Sequence, residues 1–235
     1  MSLKHYRHLQ EHFHSLIRNK VLEAGSKLPS EREIGEQFKL TRVTVRQALQ
    51  SLEMEGMVYR QNRRGWFVSP PAVVYDPAAH LSFNIFVTEQ GYTPHTEKLQ
   101  QTLVAADPEV ANKMNLAVGT PVLFLHRRRY IDNRPVLIEK MYINTTLLPG
   151  IEEEDLTQSL SQLLARKYQM SYRDMDLSFK ATSLPEEATS ALGITAGQSG
   201  LNIERINYTQ DKQVLEIDYE YWRHDAVTIQ IAIRD

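Results

Sequence analysis

Apolar side chains recur at helical spacing near the start of the chain. Leu9, Phe13, Leu16 and Ile17 predict an amphipathic helix over residues 3–23, stopped by Ala24-Gly25. Ser30 followed by Glu33 is a capping box, because the hydroxyl can cap the Glu33 N–H while Glu33 reaches back to the Ser30 N–H. It opens a second helix over residues 30–38, with Ile34 and Phe38 turned inward. After the turn at Lys39-Leu40, Thr41 caps a third helix. Its apolar stripe is Val45, Ala48, Leu49 and Leu52, and it ends near Gly56. Two short apolar runs, 57–60 and 66–69, flank Gln61-Asn62-Arg63-Arg64-Gly65 and read as a hairpin.

Ser69-Pro70-Pro71 breaks the pattern, since neither proline can donate to a helix or a central strand. The organisation expected is a domain at 1–69, a short stiff linker at 70–77 and a larger domain at 78–235. In the larger part, residues 121–130 and 134–143 are strand-like around an Asp132-Asn133 turn, and 155–168 carry leucines at helical spacing. A second strand pair, 200–207 and 214–222, surrounds Gln210-Asp211-Lys212. This is an α+β pattern built on antiparallel hairpins. It also holds a faint repeat. Residues 108–119 precede the first hairpin and 185–197 the second, each reading short helix, then Leu or Ile, two residues and Gly. The offset of roughly 77 residues suggests one pseudo-symmetric domain rather than a solenoid.

Hydrophobic residues make up 42% and charged residues 24%, which argues against wholesale disorder or a coiled-coil rod. Cysteine is absent, so disulfides, thiolate zinc sites and cysteine nucleophiles are excluded. No apolar run is long enough to span a membrane, and the polar first residues lack the apolar core of a signal peptide. A cytoplasmic location is expected. The net charge of −2 conceals a polarity: residues 1–70 carry 12 basic and 7 acidic side chains, and the remainder 15 and 22. A basic front part suits nucleic acid.

Three helices with a tight turn before the third, then a hairpin, describe a winged helix-turn-helix. With the apolar stripe inward, Arg42, Thr44 and Arg46 occupy other faces of the first two turns of the third helix. Such residues meet base edges in the major groove, where an arginine fork matches guanine O6 and N7. Arg32 can sit over the same groove, and Arg63, Arg64 and Gly65 can enter the minor groove. The plainer alternative is a solvated basic face. The DNA reading requires Arg32, Arg42 and Arg46 to form one outward cluster; side chains pointing in unrelated directions, or tied up in internal carboxylate pairs, would overturn it.

On the larger part, Arg127 and Arg129 share a sheet face, Glu139 lies mid-strand, and Glu216, Asp218 and Glu220 share a face of the last hairpin. Cations and carboxylates around one cavity suit a zwitterionic or phosphorylated small ligand. Cross-strand ion pairing on a wet sheet face is the alternative.

Leu28-Pro29-Ser30-Glu31-Arg32-Glu33, then Thr41 to Leu49, then Glu55-Gly56 and Arg64-Gly65-Trp66-Phe67-Val68, resemble the GntR family of bacterial transcription regulators. The resemblance implies operator contact by Arg32, Arg42, Arg46 and Gly65, within a candidate set that also holds Ser30, Thr44, Arg63 and Arg64. The family wing usually has Gln-Gly-Arg-Gly-Thr-Phe-Val. This chain has Asn62-Arg63-Arg64-Gly65-Trp66-Phe67-Val68 instead; Asn62 can take the left-handed conformation that glycine supplies, and Trp66 adds bulk. The order strand, Arg127-x-Arg129, turn, Pro135 and Glu139, then Ser159-Leu160, Glu216 and Trp222 to Asp225, is similar to the UTRA effector domain of the HutC subfamily, which has a chorismate-lyase-like fold. That resemblance implies that Ser82, Phe83, Asn84, Arg127, Arg129 and Ser159 hold an acidic group, and Glu139, Glu216 and Trp222 the rest of the effector. The family usually has tyrosine at the position of Trp222. The stretch 89–99 is similar to regulators of phosphonate use.

The expected protein is a homodimeric, ligand-responsive regulator, most simply a repressor of a pseudo-palindromic operator on double-stranded DNA. Its effector would be a phosphorylated sugar, a phosphonate or an amino-acid catabolite, and no catalytic residue, cofactor, metal or membrane partner is expected. The alternatives are a lyase-like enzyme with an accessory helical domain and, less well matched to the acidic back part, a nucleoid protein. His8-Leu9-Gln10-Glu11-His12 fits an inverted zinc-protease motif without a third ligand and is set aside. No G-x-S-x-G, Walker A or Rossmann fingerprint occurs.

Overall fold

The computed structural model describes residues 2–61, 63–79 and 81–232, with side chains from Tyr6 onward. The first helix, α1 (Ser2–Arg18), ends a turn earlier than its apolar spacing predicts. The N–H groups of Val21 and Leu22 both donate to the Leu16 carbonyl, and Lys20 takes φ 55°, which turns the chain out of the helix. The capping box forms as expected: Ser30 Oγ accepts from the Glu33 N–H at 3.2 Å, and Glu33 Oε2 accepts from the Ser30 N–H at 2.8 Å. It starts α2 (Glu31–Phe38), which Lys39 closes in the left-handed region. Thr41 caps α3 (Arg42–Met54), whose Val45, Ala48, Leu49 and Leu52 meet Leu9, Phe13 and Ile34 in one core.

The wing is β1 (Val58–Gln61) paired antiparallel with β2 (Gly65–Val68). Gly65 adopts φ 106°, a conformation that would strain any side-chain-bearing residue. Asn62, with its expected left-handed role, lies outside the described residues. The segment expected as a short stiff linker carries β3 (Val73–Tyr75), whose ends are buried.

The larger domain continues through α4 (Phe83–Glu89), β4 (Pro94–Ala105), α5 (Pro108–Met114), β5 (Pro121–Ile131) and β6 (Arg134–Ile143). The helix expected at 155–168 is cut short. Asp155 accepts from the Thr157 N–H and hydroxyl, bending the chain, so that α6 (Leu160–Leu163) begins only after Ser159 and runs on as one π-helical turn. Then come β7 (Met175–Ser183), α7 (Glu186–Leu192), β8 (Ser199–Tyr208), β9 (Val214–Arg223) and β10 (Val227–Ile229). β10 pairs in parallel with β3 and ties the linker to the chain's tail.

The main sheet is antiparallel with the order β4-β5-β6-β9-β8-β7. The faint repeat is therefore a structural one. Strand, helix, strand, strand occurs twice, as β4-α5-β5-β6 and β7-α7-β8-β9, and the halves meet edge to edge where β6 pairs with β9. α5 and α7 cover one face through Val110, Met114, Ala188 and Leu192. The other face carries two apolar clusters, one around Phe83, Phe86 and Trp222 and one around Leu123, Met141 and Leu160. A polar cavity lies between them.

Candidate functional site

At the start of α3, Arg42 Nε donates to Glu31 Oε2 at 3.2 Å, and Arg46 donates through Nε and Nη2 to the two oxygens of the same carboxylate at 3.2 and 2.8 Å. The expectation of an unpaired arginine cluster is thus corrected. Arg32 pairs separately with Glu36, one turn along α2. The physical reason is proximity: Glu31 is the first residue of α2 and sits beside the two arginines that open α3. The pairing leaves guanidinium edges open, since the Arg42 side chain remains 76% exposed and that of Arg46 43%, against 11% for Glu31. Hydrogen bonds from Arg46 lead in pulling the Glu31 carboxyl down to about 2. Trp66 Nε1 donates to Glu31 as well, at 3.3 Å, so the unexplained wing tryptophan joins β2 to the arginine pair.

The other front-domain candidates are spread around that point. Ser30 caps α2, and Thr44 Oγ1 lies 2.9 Å from Thr41 Oγ1. Arg63 and Arg64 are exposed at the hairpin tip, with Arg64 5.5 Å over the Phe67 ring. His12 of the set-aside zinc motif packs edge-on against Phe13 and Phe38. Among the described residues there is no cluster of three metal-ligating side chains.

The cavity of the larger domain gathers every effector candidate named from the sequence: Ser82, Phe83, Asn84, Arg127, Arg129, Glu139, Ser159, Glu216 and Trp222 all line it. It holds about 90 Å³, room for a few water molecules. Strand alternation brings the polar row together. Arg127, Arg129, Glu139, Glu216, Asp218 and Glu220 share one sheet face, while Arg128 points away to Glu97. The alternative of ion pairing on a wet face is corrected in one respect, because the pairing is real but the face is buried. Arg127 and Arg129 both donate to Glu139 Oε2, at 2.9 and 2.8 Å. Burial would raise that carboxyl, but the two guanidinium groups hold it at about 2.

In register, Glu139 faces Glu220 across β6 and β9, a pairing of like charges. Each acid has its own cations: Glu220 accepts from Arg205 and, at 2.7 Å, from Trp222 Nε1. Tryptophan in place of the usual tyrosine thus spends its one donor inside the protein. Ser159 Oγ accepts from the Gln162 N–H and sits 2.9 Å from Ser161 Oγ. Ser82 Oγ and Asn84 Oδ1 are buried without a hydrogen-bond partner. Arg205 and Tyr172 also line the cavity and were not among the sequence candidates: Arg205 is a lone cation on its strand, and Tyr172 lies in a loop outside any motif.

A seam joins the two domains. Asp225 accepts from Arg134, from Arg223 at 3.0 and 3.2 Å, and from Ser69 Oγ at 3.4 Å. Arg134 lies over the Tyr59 ring of the wing, and Glu53 of α3 is buried nearby, its carboxyl raised by burial. Trp222 lines the cavity, and the next residue, Arg223, lies in the seam.

A winged helix-turn-helix joined to a domain with a buried polar cavity defines a two-domain transcription regulator. Residues 5–68 match the model of bacterial regulatory proteins of the gntR family, and residues 89–228 match the UTRA domain. The chain belongs to the GntR family, in its UTRA-bearing branch. It is 34% identical over 218 residues to the HTH-type transcriptional regulator YihL of Escherichia coli, covering 92% of each chain. To the HTH-type transcriptional repressor NagR of Bacillus subtilis it is 29% identical over 223 residues, covering 95% of this chain and 92% of that one. The crystal structure of PhnF from Mycobacterium smegmatis superposes with a TM-score of 0.68 at 25% identity, covering 96% of this chain and 99% of that one. Among the described residues no helix is long and apolar enough to cross a membrane.

Proposed function

We propose that the protein is a repressor that binds a pseudo-palindromic operator as a homodimer and responds to a small acidic or phosphorylated metabolite, a phosphonate included. Arg42 and Arg46 read base edges in the major groove from the first turns of α3, with Arg32 and Thr44 beside them. Arg63, Arg64 and Gly65 follow the minor groove or its phosphates. A dimer sets two such helices about one DNA turn apart. Arg127, Arg129, Ser82, Asn84 and Ser159 hold the acidic end of the effector.

The observation that carries this reading is the pair of open guanidinium edges anchored on Glu31, which supplies direction without covering the donors. In the complex, Glu31 takes the place of water as a fixed acceptor behind the arginines, and the outer N–H groups meet the DNA. The effector changes operator affinity only as far as it binds one arrangement of the dimer better than another. β9 links the two events in space, carrying cavity residues up to Trp222 and a seam residue immediately after.

A gel shift with the DNA upstream of the protein's own gene tests the reading. Arg46→Ala should lower discrimination between operator and random DNA by about 1–3 kcal/mol. Unchanged discrimination would remove Arg46 from the reading, and turnover of phosphorylated candidates without DNA binding would favour the lyase alternative.

A further inference from the structure

The outward crest of α3 is apolar in its first turn. A helix turns about 100° per residue, so Val43 stands almost opposite the buried stripe of Val45, Ala48, Leu49 and Leu52. Its side chain is 67% exposed. Arg42 and Arg46 lie to one side of it, both drawn toward Glu31 of α2. Thr44 is committed as well: its N–H donates to Thr41 Oγ1 at 3.3 Å, and the two hydroxyls lie 2.9 Å apart. The middle of the crest thus carries two methyl groups and no donor or acceptor.

Folding does not call for a valine here. At that exposure Val43 adds little to the core, and a β-branched residue is a poorer helix former than alanine. The effector domain does not explain it either. The seam lies at the far end of α3, where Glu53 is buried, ten residues and about 15 Å along the axis from Val43.

We infer that Val43 reads a thymine through its 5-methyl group in the major groove. The inference rests on the proposed reading of base edges by Arg42 and Arg46. Among the four ordinary bases, thymine alone presents an apolar group on that edge, and an apolar side chain is what can bury it. Arginine forks select guanine and leave a neighbouring A·T pair unread. Cβ atoms three residues apart on a helix stand about 5–6 Å from each other, and bases follow one another about every 3.4 Å along a strand. The thymine therefore lies within about two base pairs of the guanine that Arg46 takes. Val43 makes no charged contact with phosphate, so it acts on which sequence is bound and not on how tightly random DNA is held.

Uracil substitution tests this, because uracil pairs as thymine does and lacks only the methyl group. The shortest fragment from upstream of the protein's own gene that the full-length protein shifts is rebuilt with each half-site thymine replaced in turn. Wild type should lose affinity about threefold to fivefold at one thymine per half-site, the worth of one buried methyl group. That thymine should lie within about two base pairs of the guanine whose replacement Arg46→Ala no longer senses. Val43→Ala should be indifferent to uracil at that place, keep its sensitivity to the guanine and hold random DNA as wild type does. If no half-site thymine is sensitive to uracil, or if Val43→Ala is as sensitive as wild type, the inference is overturned and the arginine reading stands. Failure of the wild type to shift any upstream fragment removes the DNA reading itself, and this inference with it.

Discussion

Arg134 of β6 lies 4.3 Å over the ring of Tyr59 in β1, so a buried cation of the effector domain rests on an aromatic face of the wing. Asp225 pairs with that cation and with Arg223. Asp225→Ala would leave both arginines buried and unpaired. The expected cost is about 3–5 kcal/mol of stability, the range for breaking a buried pair from one side. Urea denaturation followed by tryptophan fluorescence measures it. A loss below about 1 kcal/mol, the scale of a surface pair, would show that water reaches the seam.

Glu31→Gln separates orientation from charge at the DNA face. Losing the carboxylate makes the front domain more basic, so affinity for random DNA should rise. Losing the anchor of Arg42 and Arg46 should lower operator discrimination by about 1 kcal/mol, the net worth of a typical hydrogen bond. Competition gel shifts at several salt concentrations read both effects. Improved discrimination would mean that Glu31 restrains the arginines rather than aiming them.

The same carboxyl gives a pH signature. It is held near 2 against an ordinary value of 4.5, so its contribution to stability is complete above about pH 4.5 and is lost as pH falls toward 2. Acid titration of the wild type and of Glu31→Gln should converge at the low end. Curves that stay parallel through that window would contradict the pairing.

Asp218 has the opposite sign. Its carboxyl is raised in the fold, so the folded state favours the protonated form and stability falls as pH rises above the ordinary value of 3.8. Asp218→Asn should therefore stabilise the ligand-free protein at neutral pH by about 1–3 kcal/mol, with the gain shrinking toward acid pH. Thermal denaturation at both ends of that range checks it. A destabilised variant at neutral pH would mean that the carboxylate is satisfied after all.

A glycine on the helix-covered face of β8 leaves no room for a side chain. A Cβ on Gly200 would stand 2.4 Å from the Trp222 carbonyl oxygen and 2.6 Å from the Leu184 side chain. Gly200→Ala should force β8 and β9 apart and cost about 1–3 kcal/mol, as overpacking does. A melting temperature equal to wild type would show that the strands slide freely.

The front domain was legible because its signals are local. Ser30, Glu33 and Thr41 announce their helices within four residues, and Val45 to Leu52 shows which face of α3 is inward. What the sequence hid there was the partnership of Glu31 with Arg42, Arg46 and Trp66, which depends on how α2, α3 and the wing pack. In the larger domain the central hairpins were visible through their apolar runs. β4 was not, because Glu97, Lys98, Gln100 and Gln101 leave an edge strand without a clear apolar face. The effector candidates converge as expected, but the lack of a partner for Asp218 Oδ1 could not be read from spacing. It depends on Arg205 turning toward Glu220 instead of its cross-strand neighbour.

The two halves of the main sheet contribute unequally to the cavity. The first half supplies Arg127, Arg129 and their acid Glu139. The second supplies Arg205 against three acids. One ancestral-looking unit, used twice, thus ends as a cation-bearing jaw facing an anion-bearing jaw across the β6–β9 join. On the proposed effector reading, a substitution on β9 alters the acid-bearing side of the cavity and leaves Arg127, Arg129 and Glu139 in place, so a single strand sets part of the chemical preference.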